Sequence, residues 1–562
     1  MTAPLDPTKT AILARALHAA AEEMGANLIR SAFSTVVREA RDCSTALLDA
    51  AGNVVAQAEM IPMQTAAISM SFKAAMVQLD LSRIGPGDAI LMNDPYSGGQ
   101  HLNDIILFQP IFTGNELIGY AGNTAHHLDI GGGSAGVNTN ATDLIQEGLV
   151  IPPILFDVAR DWNGGMIERL IFANIRTAEL GLGDLNAQFA ANHIGIQRMR
   201  ELAESEGIDA LQHAMAEVQN YSERRMRAAI AEIPDGTYTG EAFIDRDVFV
   251  DRPIRIAVTV TVKGSEIVMD FSGTDPQVKG MFNCPLSSAH AAAVTAVRSI
   301  LTDKDIPAND GCNRPLTLRF PKGSVLNPNR LAPVRARMSS AYRAFDAVHA
   351  ALVQAMPERV PAQGFNTTTG FYVTQVRPSG EYRVFVDVLG GGFGACSNYD
   401  GADAVDGILS NCRNTPIEAI EQINDHLLVR RYAMIPDSGG AGQWRGGLGF
   451  VREIEVLETG VFLNLYADHY RLAPAGCAGG EPGSKGSLRI HRGNMQIELS
   501  PTASFDLEPG DVIELSTGGG GGWGDPRQRS RESVREDLEN GRVTAEHALR
   551  AYGYEIRRDS AA

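Results

Sequence analysis

The chain has 562 residues, of which 44% are apolar and 21% are charged, and its formal net charge is −18. This length exceeds that of one compact domain, so we expect several domains. The acidic balance argues against nucleic acid or an anionic membrane as a partner, because both require basic surface. No apolar run is long enough to span a bilayer, so we predict no membrane segment.

The N-terminal segment has no basic start and is interrupted by charges, which is typical of an amphipathic helix rather than a signal peptide. The six cysteines show no CxxC spacing; they are Cys43, Cys284, Cys312, Cys396, Cys412 and Cys477. In a long chain without an export signal this pattern predicts reduced thiols and a cytoplasmic protein.

Helical periodicity runs from about Thr8 to Phe33. A hairpin is predicted next, over residues 43–58. Two apolar strands follow at residues 105–112 and 117–125, and Thr113 to Glu116 forms a strong turn signal between them. Helical signals then return in two stretches between about residues 183 and 232.

The rest of the chain is richer in strands. A hairpin is centred on Lys263-Gly264, and helices are expected near residues 289–301 and 340–356. Residues 364–520 are strand-rich and full of glycine, and two short helices close the chain. We therefore predict a multi-domain α+β fold with a helical N-terminal segment, mixed sheets and a glycine-rich, strand-rich C-terminal half. The predicted domains are residues 1–233, 234–360 and 361–562.

The segment around the 105–125 hairpin contains the most informative polar residues. If its strands pair about the turn, His126 lies opposite Asn103, beside His101 and Asp104. Imidazole nitrogens and carboxylate oxygens together suit Mn, Fe, Co or Zn, so this end of the hairpin is a candidate metal site.

Two H-x-x-D pairs are involved, His101/Asp104 and His126/Asp129. Residues three apart point to opposite faces of a strand, so each pair can chelate only from a turn or loop. The alternative is that these side chains only hydrogen-bond the local backbone. His127 faces away from His126 and would support a ligand or contact the substrate.

Other motifs for nucleotide or nucleophile chemistry are weak. No G-x-x-x-x-G-K-[ST] phosphate loop is present. The glycine runs at residues 390–396 and 516–526 predict either an anion-binding or substrate loop or, as the favoured alternative, tight turns packed against a neighbour. Cys396 is a possible nucleophile, although a buried thiol is the commoner case.

A series of ordered motifs resembles the hydantoinase B / 5-oxoprolinase family. They are REARDCSTALLD, NDPYSGGQHLNDIILFQPIF, TAHHLDIGG, ATDLIQEGLVIPP, DFSGTDPQVKGMFN, DIPANDGCNRPL, GGGFGA, NTPIEAIE, DSGGAGQWRGGLG and STGGGGGWGDP. The resemblance runs from about Thr8 to Tyr554.

The resemblance implies a subunit that works with a hydantoinase A-type, ATP-binding partner in a hetero-oligomer. Such pairs open N-methylhydantoin, 5-oxoproline or related lactams, and relatives include caprolactamase and the acetone and acetophenone carboxylases. The family's metal site maps onto four residues here: Asp42, His101, Asp104 and His126. A divalent metal (Mn, Zn, Fe or Co) is then expected in this chain, with ATP and Mg on the partner, and His127 or Asp129 as general base.

The chain departs from the family pattern at several positions. Two family histidines are replaced by Met60 and Gln64, a common proline is Ala135, and His469 stands where the family has arginine. His469 is expected either to reach the metal or to pack. Two alternative functions stay open, a subunit of an ATP-dependent ketone carboxylase and a non-catalytic scaffold subunit.

Overall fold

The computed structural model describes residues 7–58 and 60–555. The chain divides into two compact units. The N-terminal unit comprises residues up to 242, residues 247–250 and residues 255–351; the C-terminal unit comprises residues 243–246, 251–254 and those from 352 onward. The segments predicted as the first and second domains thus fall mostly in one unit, and a division into three domains stays a prediction.

The N-terminal unit contains nine α-helices and ten strands among the described residues. The helices are α1 (Pro7–Ser31), α2 (Thr35–Arg38), α3 (Pro62–Gln78), α4 (Val158–Asp161), α5 (Met166–Phe172), α6 (Ala178–Glu206), α7 (Ile208–Ile230), α8 (Leu286–Ser299) and α9 (Arg337–Leu352). The strands are β1 (Cys43–Asp49), β2 (Val54–Gln57), β3 (Asp88–Met92), β4 (Asp104–Thr113), β5 (Glu116–His126), β6 (Ile154–Asp157), β7 (Gly236–Ile244), β8 (Ile254–Lys263), β9 (Glu266–Asp270) and β10 (Leu316–Arg319).

The main sheet of this unit has six strands in the order β2-β1-β5-β4-β3-β6, and a second sheet has the order β10-β9-β8-β7. The main sheet is covered on both faces. Ile106 and Phe108 of β4 pack with Phe72 of α3, whereas Ile105 and Leu107 pack on the other face with residues of α5 and α6. This double burial explains why β4 is a continuous apolar run rather than an alternating one.

The predicted register of the β4–β5 hairpin is wrong by one residue at its far end. Next to the turn the pairing is as expected, with Thr113 opposite Glu116. A β-bulge between Ile111 and Phe112 then shifts the register, so that His126 pairs with Asp104 instead of Asn103. A bulge adds one residue to one strand, so every residue beyond it pairs one position further along the partner strand.

The C-terminal unit contains the remaining strands and helices. Its strands are β11 (Thr369–Val376), β12 (Tyr382–Leu389), β13 (Leu427–Met434), β14 (Phe450–Val456), β15 (Val461–Tyr466), β16 (Ser487–Arg492), β17 (Met495–Glu498), β18 (Thr502–Leu507) and β19 (Val512–Ser516). Its described helices are α10 (Ile417–Ile423), α11 (Arg531–Glu539) and α12 (Ala545–Tyr552). The strands form antiparallel sheets of order β12-β11-β15-β18 and β13-β14-β19-β16-β17, which share one apolar core.

The glycine runs of the C-terminal unit are neither tight turns nor exposed loops. They are buried segments outside the sheets, and their backbones bond to one another: Gly447 N–H donates to Phe393, and Gly520 N–H donates to Gly447 at 2.9 Å. A Cβ added to Gly392 would lie 1.9 Å from the Gly447 carbonyl oxygen. Only glycine, which has no Cβ, permits this backbone contact, so the close packing of the segments requires glycine here.

The mixed, multi-domain α+β fold predicted from sequence is confirmed. The long N-terminal helix, the 105–125 hairpin and the two helices between residues 183 and 232 all form close to the predicted bounds. Helix α3 was not predicted, because it is buried on much of its surface and has no clear polar face. Within the described residues, no helix is long and apolar enough to cross a membrane.

Candidate metal centre

Three of the predicted ligands stand in one row across the main sheet. Asp42 immediately precedes β1, His126 ends β5 and Asp104 begins β4, and these strands are neighbours in the order β1-β5-β4. The His126 N–H donates to the Asp42 carbonyl at 3.0 Å, and His126 pairs with Asp104. His101 joins them from the turn before β4, where the Asp104 N–H donates to its carbonyl oxygen at 3.0 Å. This pair therefore meets the condition that it can chelate only from a turn or loop.

The side-chain atoms of three of these residues form a tight group. His101 Nε2 lies 3.0 Å from Asp104 Oδ1 and 3.1 Å from His126 Nδ1. The third separation, His126 Nδ1 to Asp104 Oδ1, is 3.3 Å. Asp42 Oδ2 is slightly further out, 3.6 Å from His126 Nδ1. All four side chains are buried or nearly so, and Asp42 is the most exposed at 13%.

This donor group fits a divalent transition metal. Bonds of about 2.1 Å to one ion place neighbouring nitrogen and oxygen donors roughly 3.0–3.4 Å apart, which matches the three measured separations. Three electron-rich atoms so close together need a proton or a cation between them. His101, Asp104 and His126 could hold such an ion, and Asp42 is near enough to be a fourth donor.

The protonation states agree with a ligand role. Burial lowers the pKa of His101 well below its usual range, and the nearby Arg337 lowers it further, so the ring is neutral. Burial alone would raise the pKa of Asp104, yet this pKa lies well below the usual range because a hydrogen bond with His101 and the permanent charge of Arg337 stabilise the carboxylate. Neutral imidazole and ionised carboxylate are the forms that bind metal.

Two further side chains hold the outer oxygens of the carboxylates. Gln64 Nε2 donates to Asp42 Oδ1 at 2.7 Å, and Arg337 Nη2 donates to Asp104 Oδ2 at 2.6 Å. From the sequence, Gln64 is only a departure from the family pattern, and Arg337 is not predicted as a site residue. Arg337 is 233 residues from Asp104 in the chain. Arg337 is the first residue of α9, and Arg335 lies two positions before it, so no local pattern distinguishes Arg337.

His127, a predicted catalytic residue, lies on the opposite face of the sheet from the metal-ligand group. Gln188 uses its Nε2 to donate to Ile105 and Asn123, so its Oε1 accepts from His127 Nε2 at 3.0 Å. The proton therefore sits on Nε2 and the lone pair on Nδ1, which is buried without a hydrogen-bond partner beside Gly181. Burial also lowers the pKa of His127, so the ring is neutral.

Asp129, the other predicted catalytic residue, does not join the group. Its Oδ2 accepts the Arg176 backbone N–H at 2.6 Å and its Oδ1 accepts from Arg176 Nη1 at 3.0 Å. The second H-x-x-D pair is thus divided: His126 faces Asp104, while the carboxylate of Asp129 is neutralised by an arginine.

Two residues with predicted roles, Cys396 and His469, lie in the C-terminal unit. Cys396 is buried, and burial raises the pKa of its thiol, which disfavours a nucleophilic role. His469 has a left-handed backbone with φ of 62°, and its Nδ1 lies 2.6 Å from the Leu472 carbonyl oxygen, to which it donates. Within its own unit, His469 also packs beside Phe365.

Relatives cover nearly the whole chain. The chain is 37% identical to a Pseudomonas protein assigned to a D-/L-hydantoinase as its B-type subunit, over 98% of this chain and 95% of that one. It is 29% identical to the beta subunit of the caprolactamase of Pseudomonas jessenii, over 98% and 96% of the two chains. A 5-oxoprolinase of Pestalotiopsis fici is 31% identical over 96% of this chain, which spans only 43% of that longer protein.

Solved structures agree with these matches. The ATP-dependent caprolactamase of Pseudomonas jessenii superimposes with a TM-score of 0.91 at 28% identity, covering 99% of this chain and 98% of that chain. A nucleotide-free acetone carboxylase has a TM-score of 0.89 at 20% identity, covering 99% and 80%, which establishes a shared fold. The family model described as hydantoinase B/oxoprolinase matches residues 6–526. The chain therefore belongs to the hydantoinase B/oxoprolinase family.

Proposed function

We propose that this chain is the metal-carrying subunit of an ATP-dependent cyclic-amide hydrolase that opens a hydantoin, 5-oxoproline or lactam ring. The observation that carries the proposal is the buried group of His101, Asp104 and His126, whose donor atoms lie 3.0–3.3 Å apart. The relatives named hydantoinase, 5-oxoprolinase and caprolactamase indicate the substrate class.

The ligand residues would be His101, Asp104 and His126, with Asp42 as the fourth. A divalent ion bound there, of the Mn, Zn, Fe or Co class, would polarise the amide carbonyl or lower the pKa of a bound water. Catalytic zinc sites use three protein ligands and keep a position for water or substrate, and His101, Asp104 and His126 would supply three such ligands. The low exposure of the group would keep bulk water from the reacting carbonyl.

The two candidates for the general base differ in their surroundings. Asp129 is paired with Arg176, and a carboxylate neutralised by arginine is a poor proton acceptor. His127 has an unused lone pair on Nδ1, but that atom is buried beside Gly181. His127 keeps an unoccupied acceptor atom but lies on the opposite face of the sheet from the ligand group, so we propose neither residue as the general base at the metal.

The partner is proposed to be a hydantoinase A-type subunit that binds ATP and Mg in a hetero-oligomer. The absence of a phosphate-loop motif in this sequence and the subunit names of two relatives support this division of labour. The phosphoryl group from ATP would trap an otherwise unfavourable intermediate of amide hydrolysis. We also propose a cytoplasmic location, since all six cysteines are free thiols.

The test is ADP release by this chain co-purified with its partner. Hydantoins, 5-oxoproline, larger lactams and ketones are each offered with and without bicarbonate. ADP release coupled to ring opening in the absence of bicarbonate is expected. Turnover of ketones alone, and only with bicarbonate, would assign the protein to the carboxylases. Full ring-opening activity of a wild-type complex in which this chain holds no transition metal would favour a scaffold subunit.

A further inference from the structure

Each carboxylate of the candidate metal centre divides its two oxygens between different partners. Asp104 directs Oδ1 towards His101 and His126, while its Oδ2 accepts from Arg337. Asp42 directs Oδ2 towards His126, while its Oδ1 accepts from Gln64. In both residues one oxygen is already bound by a protein donor, and only the other faces the group of ligands.

Arg337 is held in place for this contact. It is only 4% exposed, and its Nη2 donates to both Asp104 Oδ2 and Gln100 Oε1, at 2.6 and 3.0 Å. Gln100 in turn donates its amide nitrogen to the Met63 carbonyl, which fixes the orientation of the amide. A charge-assisted hydrogen bond of this length strongly resists rotation of the carboxylate.

The outer imidazole nitrogens receive no comparable support. His101 Nδ1 and His126 Nε2 are buried without a hydrogen-bond partner. In most metal centres the distal nitrogen of each histidine is oriented by an acceptor, and mutation of such partners usually costs affinity. Here the supporting hydrogen bonds are on the carboxylates instead.

We propose that Arg337 is a positioning residue that restricts Asp104 to a single-oxygen donor, with Gln64 acting likewise on Asp42, so that the centre selects a transition metal over Ca²⁺. This inference rests on the proposed metal-carrying function. Ca²⁺ prefers six to eight oxygens and commonly takes both oxygens of a carboxylate. Two imidazoles and two single carboxylate oxygens instead suit ions such as Zn²⁺ or Co²⁺.

The experiment compares Arg337→Met with the matched control Arg335→Met. Arg335 is also a buried arginine close enough to lower the pKa of His101, but its Nη2 donates to the Gly136 carbonyl. Metal-free protein is titrated with Co²⁺, and both the affinity and the visible spectrum are recorded, with Ca²⁺ as competitor. Arg337→Met is expected to bind Co²⁺ about 10- to 100-fold more weakly. Its Co²⁺ spectrum should change and Ca²⁺ should compete better, while Arg335→Met should resemble wild type.

The possible results test the role of Arg337 and the metal-carrying function separately. Wild type that binds no Co²⁺ would refute the metal-carrying function itself. Wild type that binds Co²⁺, with an unchanged affinity and spectrum in Arg337→Met, would overturn the inference alone. Equal losses in both variants would also overturn it, because charge rather than contact would then be responsible. If Arg337→Met fails to fold, Arg337→Gln replaces it: glutamine stays polar but is shorter and uncharged, so a wild-type affinity and spectrum would contradict the proposal.

Discussion

His101 Nε2 and His126 Nδ1 lie 3.1 Å apart, although their residues are separated by 25 positions and belong to different elements. Two imidazole lone pairs cannot face each other at this distance without a cation or a proton between them. The same atoms face a carboxylate oxygen of Asp104. This contact between two histidines is the feature from which a metal-binding function follows most directly.

Removing either imidazole should release the metal. His126→Ala leaves one nitrogen and the carboxylates, so we expect the metal content after dialysis to fall at least about tenfold from wild type. The matched control is His349→Gln, since His349 is also buried in this unit but donates to the Ala296 carbonyl. Metal content is measured by elemental analysis, and full retention by His126→Ala would contradict the ligand assignment.

The substitution Asp129→Asn tests whether Asp129 has a structural or a catalytic role. The change removes the ion pair with Arg176, so we expect the free energy of unfolding to fall by about 1–3 kcal/mol while the metal content is unchanged. Urea unfolding and metal analysis check this. A stable variant whose only defect is a lower kcat would instead make Asp129 the general base.

Glu147 should give a pH-dependent stability. Its two carboxylate oxygens accept the backbone N–H groups of Val334 and Arg335, and burial raises its pKa from 4.5 to about 7. Between these pH values the folded chain keeps a proton that the unfolded chain has released. The free energy of unfolding should therefore fall as the pH rises through this window, by up to about 3 kcal/mol.

The measurement for Glu147 is unfolding of wild type and Glu147→Gln from pH 4.5 to 8. The glutamine does not titrate, so wild type should lose stability relative to the variant as the pH rises towards about 7 and then run parallel to it. Other titrating groups cancel in the difference between the two proteins. A difference that stays constant over the whole range would contradict a raised pKa.

Alanine in the glycine core should prevent folding of the C-terminal unit. A Cβ at Gly520 would lie 2.0 Å from the Phe393 carbonyl oxygen, and the three nearest atoms are all backbone, which cannot move aside as a side chain can. We expect Gly520→Ala to cost more than about 3 kcal/mol and to lower the soluble yield. Gly85→Ala is the control, since the nearest atom there is 3.6 Å away. Equal thermal stability of the two variants would show that the close packing is not needed.

Local patterns were enough to predict that His101, Asp104 and His126 lie together, because these residues adjoin a strong hairpin signal, whereas Asp42 came only from the family resemblance. The apolar strands and the turn at Thr113 to Glu116 brought His101, Asp104 and His126 to one end of the sheet. The bulge near Ile111 was not predictable, because an extra residue leaves no mark on the apolar pattern of a strand buried on both faces. The bulge places His126 opposite Asp104 instead of Asn103.

Long-range contacts account for what the sequence could not predict. Arg337 reaches Asp104 across 233 residues, and no local periodicity encodes such a pair. The glycine runs looked like loops because glycine usually permits turns. Here glycine is required by backbone segments packed against each other, as between Gly392 and Gly447. That requirement exists only once the distant segments have come together.

The most direct test of the proposed function is ring opening by the complete enzyme. Wild type and His101→Ala are each reconstituted with the ATP-binding partner, and ring-opened product and ADP are counted with ATP present and bicarbonate removed. We predict that wild type forms product and ADP together, and that His101→Ala forms no product. Ring opening by a metal-free His101→Ala enzyme at the wild-type rate would contradict the proposal.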